Sequence, residues 1–219
     1  MKKIIILSIA MTLIAGDAMS QVMGMREVVS GYTTGRYRAE NEGGKYLEPG
    51  NPLQQKAAAE MAAEAGVTCD PTSAVLLNDK HKGGDRAVTY EIACRNDFGW
   101  IVSKVGGKVS AYDCYALTAS EKAAKGKLPV CRLRDNVGST AGLATLAQKA
   151  GLTCKPVQGA YLGGGGQPAI SRYEVLCDNG AGYVIDAPQP KSQAAMLAMS
   201  CARAKAAGMG ACALKPEKG

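Results

Sequence analysis

Eight cysteines carry most of the chemical potential of this 219-residue chain. They form two sets of four: Cys69, Cys94, Cys114 and Cys131, then Cys154, Cys177, Cys201 and Cys212. Thiols can ligate metal, attack a substrate, exchange electrons or pair as disulfides. Zinc sites commonly draw on closely spaced cysteine or histidine pairs. No C-x-x-C occurs here, and the sole histidine is His81, so no metal site is expected. An even cysteine count in an exported chain reads as a disulfide framework. If every cysteine is paired, no thiolate remains for nucleophilic catalysis or redox exchange. The competing thiol-redox reading therefore requires free thiols.

The other candidates are fewer. Glu91 and Glu174 fall at equivalent places in the two halves. Two carboxylates can share acid–base work in a hydrolase, or form a shared polar binding face if they point to solvent. Trp100 and Tyr183 are also equivalent, and an exposed aromatic ring can anchor a partner. Gly163 to Gly166 lacks the Lys-Ser/Thr and the helix that a phosphate loop requires, so it reads as a hairpin tip. His81 lies between Lys80 and Lys82 and reads as a solvated turn residue. The stretch Arg26 to Tyr46 mixes Tyr32, Arg36, Tyr37, Arg38 and Tyr46 with glycines, a composition suited to binding or to an arm leading into a helix. No residue is assigned a catalytic role, and no cofactor is expected.

These residues sit on a duplicated framework. Ala65-Gly66-Val67-Thr68-Cys69 returns as Ala150-Gly151-Leu152-Thr153-Cys154. Tyr90-Glu91-Ile92-Ala93-Cys94 returns as Tyr173-Glu174-Val175-Leu176-Cys177, and Gly99-Trp100-Ile101-Val102 as Gly182-Tyr183-Val184-Ile185. The two later cysteines of each set recur in step. Such self-similarity marks tandem modules. A module of about 85 residues buries only a modest core, which covalent staples would reinforce.

Each module reads as helix, meander, helix and closing strand. Asn51-Pro52 is a helix start and Gly66 a helix stop, with Leu53 to Ala65 between them. Ser139 and Gly151 bracket the second copy. Strands are expected at Val67 to Leu77, Val88 to Cys94 and Trp100 to Lys104. Their counterparts are Leu152 to Leu162, Arg172 to Cys177 and Tyr183 to Asp186. A polar turn is expected at Asn78 to Asp85, matched by Gly163 to Gly166. A later helix carries Cys114 (Cys201) and ends near Gly126 (Gly208). A short closing strand holds Cys131 (Cys212). Strand alternation puts Tyr90, Ile92 and Cys94 on one face and Glu91 on the other. The cysteine face should pack under the helices, leaving the glutamate face solvated. Four cysteines permit three pairings per module. The expected set is Cys69–Cys94, Cys114–Cys131, Cys154–Cys177 and Cys201–Cys212, since each bridge then joins neighbouring elements. The fold class is α+β: two tandem disulfide-stapled modules, each a small antiparallel sheet packed by two helices.

The N-terminus supplies the address. Met1-Lys2-Lys3, the apolar run Ile4 to Ala15 and the small residues Ala18 and Ser20 have the order of a signal peptide. The apolar run is shorter than the roughly 20 residues that span a bilayer. The expected organisation is a signal peptide at 1–20, an N-terminal arm at 21–50, module 1 at 51–137, module 2 at 138–214 and a tail at 215–219. The mature chain should contain no transmembrane segment and reside in the periplasm or be secreted. The net charge of +7 is spread along the chain and supports no nucleic-acid partner.

The blocks G-[VL]-T-C at Gly66 and Gly151, Y-E-x-x-C at Tyr90 and Tyr173, and G-[WY]-[IV] at Gly99 and Gly182 resemble a family of uncharacterised exported bacterial proteins with tandem four-cysteine repeats. That resemblance covers most of residues 53 to 214. It implies a periplasmic or secreted setting and no particular activity. A looser architectural likeness is to the tandem-module β-lactamase inhibitor proteins, which also set a helix and a stapled strand in each of two repeats. This chain departs from them by two extra cysteines and a later helix per module. The resulting expectation is a non-enzymatic binding protein whose partner is a periplasmic or extracellular protein. The alternatives are a secreted enzyme inhibitor, a hydrolase using carboxylates, and a cell-envelope spacer.

Overall fold

The computed structural model describes residues 49–82, 85–123, 131–209 and 212–215. The proposed leader, most of the arm, the side chain of His81, the end of the helix near Gly126 and residues 216–219 of the tail lie outside the described residues. The elements run α1 (Pro52–Glu64), β1 (Pro71–Lys82), β2 (Asp85–Cys94), β3 (Trp100–Val105), β4 (Lys108–Asp113) and α2 (Cys114–Ala123). The second half runs α3 (Ala141–Lys149), β5 (Pro156–Gly165), β6 (Ile170–Cys177), β7 (Gly182–Pro188), β8 (Leu197–Ser200) and α4 (Cys201–Ala206). They make two four-stranded antiparallel sheets, ordered β1-β2-β3-β4 and β5-β6-β7-β8. Four disulfides staple them, as expected: Cys69–Cys94, Cys114–Cys131, Cys154–Cys177 and Cys201–Cys212. None crosses between the halves. The arrangement is consistent with a small two-module α+β fold.

Local chemistry accounts for the repeated blocks. Asn51 caps α1 by accepting from the Leu53 N–H at 2.9 Å, and Pro52 occupies the first turn. At the other end the Gly66 N–H reaches the Ala63 carbonyl, and the Val67 N–H reaches that of Ala62. This is a Schellman stop, which needs a residue at positive φ, and Gly66 sits at +85°. Gly151 and Leu152 repeat it on α3 through the carbonyls of Gln148 and Ala147. The G-[VL] step is therefore a helix terminator. It also explains why the first strands start later than expected, at Pro71 and Pro156.

The duplication extends to strand irregularities. The β1–β2 ladder shifts register between Pro71 and Ser73 and again between Leu76 and Asn78. The β5–β6 ladder shifts at the matching places, between Pro156 and Gln158 and between Tyr161 and Gly163. Beyond the second shift the hairpins continue as ladders where turns were expected. Asn78 to Lys82 pairs with Asp85 to Thr89, and Arg86 grips Asp79 through two bonds of 2.8 and 2.7 Å. Gly163 to Gly165 pairs with Ile170 to Arg172. Polar and glycine-rich composition disguises these strands, because they project past the apolar core. Strands β4 and β8 were also unanticipated. The segments holding Cys131 and Cys212 are irregular rather than closing strands.

Ala58, Ala74, Ile92 and Val102 are fully buried, and Ala62 lies with Val102 in a neighbouring cluster. The Ile92 face of β2 thus meets α1, whereas Leu117 of α2 clusters with Ile101 on the Glu91 side, so the two helices do not share the face expected for both. Gln54 accepts from the Leu76 N–H at 2.7 Å and Gln55 donates to the Thr72 carbonyl at 3.0 Å, tying α1 to the edge strand β1. The second module trades sizes at the same contact. Leu143 replaces Ala58, and Gly159 stands where Ala74 would; a Cβ on Gly159 would lie 2.4 Å from Leu143. The volume exchange keeps the core filled.

The glutamate face was expected to be solvated and is not. Ala93 and Leu133 are buried with Val75 on that side, so the cysteine-bearing segment after α2 covers it.

Candidate functional site

Glu91 and Glu174 are 0% and 2% exposed and belong to separate sheets. Their carboxylates hold irregular chain. Glu91 accepts from the Arg132 N–H at 2.8 and 2.9 Å, the Leu133 N–H at 2.8 Å and the Asn136 amide at 3.0 Å. Glu174 accepts from the N–H groups of Cys212, Ala213 and Leu214 at 3.0, 2.9 and 2.7 Å. Burial raises the Glu91 carboxyl above its ordinary range, against the pull of those donors. The expected shared polar face therefore does not form, and neither side chain is open to a substrate. The Y-E-x-x-C block encodes a buried hub for the second disulfide segment. Each glutamate also lies near that disulfide: Glu91 with Cys114 and Cys131, Glu174 with Cys201 and Cys212. Oxidised sulfur provides no thiolate ligand or nucleophile, and no described cysteine is free.

The two modules meet through Tyr173, which repeats Tyr90, and through side chains that differ between the copies. Phe98, just before β3, enters the second module's core with Leu143, Leu146, Ala147, Tyr173, Val175 and Ile185. Its ring stacks on Tyr173 with centroids 5.5 Å apart. Tyr115 from α2 and Tyr161 from β5 flank Tyr173 at 6.4 and 5.5 Å. A Cβ on Gly142 would sit 2.1 Å from the Phe98 ring, so α3 approaches that ring only as glycine. Thr145 donates to the Asn96 carbonyl, and Lys149 pairs with Asp97 at 3.1 Å. The Tyr173 hydroxyl donates to Asp113 Oδ2 at 2.9 Å.

A cleft of about 560 Å³ opens at this junction. Trp100, Tyr161, Tyr173, Leu117, Leu146 and Met196 supply much of its apolar wall. Asp113, Ser171, Gln189, Lys149 and Lys191 supply polar groups. That volume lies in the usual range for small-molecule sites, which combine apolar walls with a few polar groups. Asp113 is 6% exposed, and burial raises its carboxyl above the ordinary range. Burial first, then the charge of Asp113 and its hydrogen bond, push the Tyr173 phenol well up. Tyr161 rises for the first two reasons. The indole N–H of Trp100 is buried and has no hydrogen-bond partner among the described residues.

Of the four residues put forward from sequence for binding, Trp100 alone lines this cleft; Gly163 and Gly164, read as a hairpin tip, and Tyr173 of the repeated block line it too. Trp100 also contacts both halves, lying against Ala58 and Ile92 on one side and the Phe98–Leu143 cluster on the other. Tyr183 is half-buried in β7, opposite Val175 and Ser200, and is not part of the lining. Sequence reasoning missed Phe98, Asp113, Tyr115, Tyr161 and Tyr173. A signal was present: against the repeat, Phe98 aligns with Ala181, Asp113 with Ser200 and Tyr115 with Ala202. The junction is built where the copies diverge.

No protein-family model, curated protein or solved structure matches this chain. No described helix is long and apolar enough to cross a membrane.

Proposed function

We propose that this chain is an exported, non-enzymatic binding protein that holds a small ligand in the cleft between its two modules. The observation carrying this reading is the 560 Å³ cleft itself, walled by aromatic and aliphatic side chains above the buried Asp113–Tyr173 pair. Four intramolecular disulfides fit an oxidising compartment, the periplasm or the exterior, and agree with the leader-like N-terminus. In this reading each sheet, packed by its two helices, is a rigid wall, and duplication followed by divergence at the junction created the site.

Trp100 is the only tryptophan and lines the cleft, so its emission reports occupancy. A small-molecule screen read by that emission should yield ligands. Their affinity should fall at least tenfold in Ser120→Phe, which puts a ring at a half-buried lining position and adds no second tryptophan, while a distant change such as Val137→Ala leaves it intact. Ligands insensitive to Ser120→Phe would place the binding site elsewhere and defeat the proposal.

A further inference from the structure

Three buried carboxylates can be compared within this one chain. Glu91 and Glu174 are enclosed by the segments they hold, through four and three hydrogen bonds respectively. Asp113 differs. Its Oδ1 accepts from the Ala116 N–H at 2.7 Å and its Oδ2 from Tyr173 at 2.9 Å, with the N–H groups of Asp113 and Tyr115 nearby. Unlike the glutamates, it lines an open cleft. No described lysine or arginine forms an ion pair with it. Buried charges are ordinarily paired, because the low-dielectric interior penalises a lone ion.

The surroundings suit a cation. Trp100 pairs with Asp113 across the β3–β4 ladder, which sets the two side chains on one sheet face. Tyr173 contacts the carboxylate directly, and the Tyr161 ring lies 5.5 Å from that of Tyr173 in the same lining. Aromatic faces attract cations, most strongly where water is excluded. The other charges of the lining are Asp97, Lys149 and Lys191. Lys149 is paired with Asp97 and largely exposed, and Lys191 is exposed. Among the described residues lining the cleft, Asp113 is the only acidic or basic side chain that is buried.

We propose that the cleft selects a small organic cation, an amine or amidine on an apolar or aromatic body. The cationic head rests on Asp113 and the body lies against Trp100, Tyr161 and Tyr173. This rests on the reading of the cleft as a ligand site.

The test titrates the full oxidised protein with phenethylammonium, 3-phenylpropan-1-ol and 3-phenylpropanoate, followed by Trp100 emission. Phenethylammonium should bind at least about tenfold more tightly than the alcohol, with the carboxylate weakest. Asp113→Asn can still cap α2 and should bring the amine to the level of the alcohol. Asp178→Asn, at an exposed acid outside the lining, should leave the preference in place, which separates Asp113 from general acidity of the protein. Equal binding of amine and alcohol by the unaltered protein would overturn cation selection while leaving a binding cleft. Failure of all three probes to bind would overturn both. The comparison within the unaltered protein decides the matter even if Asp113→Asn does not fold.

Discussion

Tyr173 of the second sheet and Asp113 of the first are joined by a 2.9 Å hydrogen bond across the module junction, with both residues buried. The same Tyr173 ring stacks on Phe98 of the first module. The halves therefore share a core, although no disulfide links them. Tyr173→Phe keeps the stack and removes only the donor. Bonds to charged groups contribute about 1.5–3 kcal/mol, so urea denaturation should show a loss of that order. Tyr173→Phe with Asp113→Asn should cost less than the two single losses added together, because each removes the same interaction. Strict additivity would mean that the bond contributes nothing.

The junction also depends on one missing methyl group. Gly142 lies under Phe98, and a Cβ there would meet three ring atoms at 2.1 to 2.6 Å. Gly142→Ala should destabilise by about 1–3 kcal/mol through overpacking, despite alanine's better helix propensity. Phe98→Leu should recover part of that loss when combined with it. A Gly142→Ala protein as stable as the parent in thermal unfolding would show that α3 can shift freely against the first module.

Burial raises the carboxyls of both Glu91 and Asp113. A raised native pKa means that the folded state holds a proton the unfolded chain has already released. The contribution to stability is then fully present below about pH 4, where free carboxyls titrate, and is lost as pH rises through the native values. The groups facing Asp113 are Tyr173, Tyr161 and the Ala116 N–H; those facing Glu91 are Arg132, Leu133 and Asn136. Urea midpoints of the parent should fall from pH 4 toward neutrality relative to an Asp113→Asn, Glu91→Gln double variant. Parallel curves would show that neither group changes its proton affinity on folding.

Much of the framework could be read from residue types. Cysteine spacing and the order of elements implied the disulfides, and Asn51-Pro52 and Gly66 marked α1 because their backbone preferences act locally. Glu91 was misread for a physical reason. Alternation assigns a face, but what covers a face depends on chain distant in sequence, here Arg132 to Asn136. The extended hairpin at Asn78 to Lys82 was hidden because it lacks apolar alternation; a backbone ladder and a cross-strand Arg86–Asp79 pair join it instead. The cleft was invisible for a third reason. It is assembled from residues of both halves, and attention to what repeats passes over Phe98, Asp113 and Tyr115, which do not repeat.

One arrangement is duplicated and can be tested twice. Cys131 is bridged to Cys114, and the residues that follow it, Arg132, Leu133 and Asn136, donate to Glu91. Cys212 is bridged to Cys201 and itself donates to Glu174. Covalent and ionic tethers thus hold the same short segment. Glu91→Ala strands buried donors, at a cost of about 3 kcal/mol or more. Replacing both Cys114 and Cys131 by Ala should cost a similar amount, about 3 kcal/mol for a loop of this size. Once one tether is gone, the segment should be free to leave, so the other contributes less. The double-mutant cycle should show a coupling of about 1 kcal/mol or more, in the direction of less-than-additive loss. Glu174 with Cys201 and Cys212 should behave alike, and amide exchange at Leu133 and Leu214 should accelerate in the respective variants. Additive losses with unchanged exchange would show that disulfide and carboxylate act on separate structure, leaving the proximity of Glu91 to Cys131 without energetic meaning.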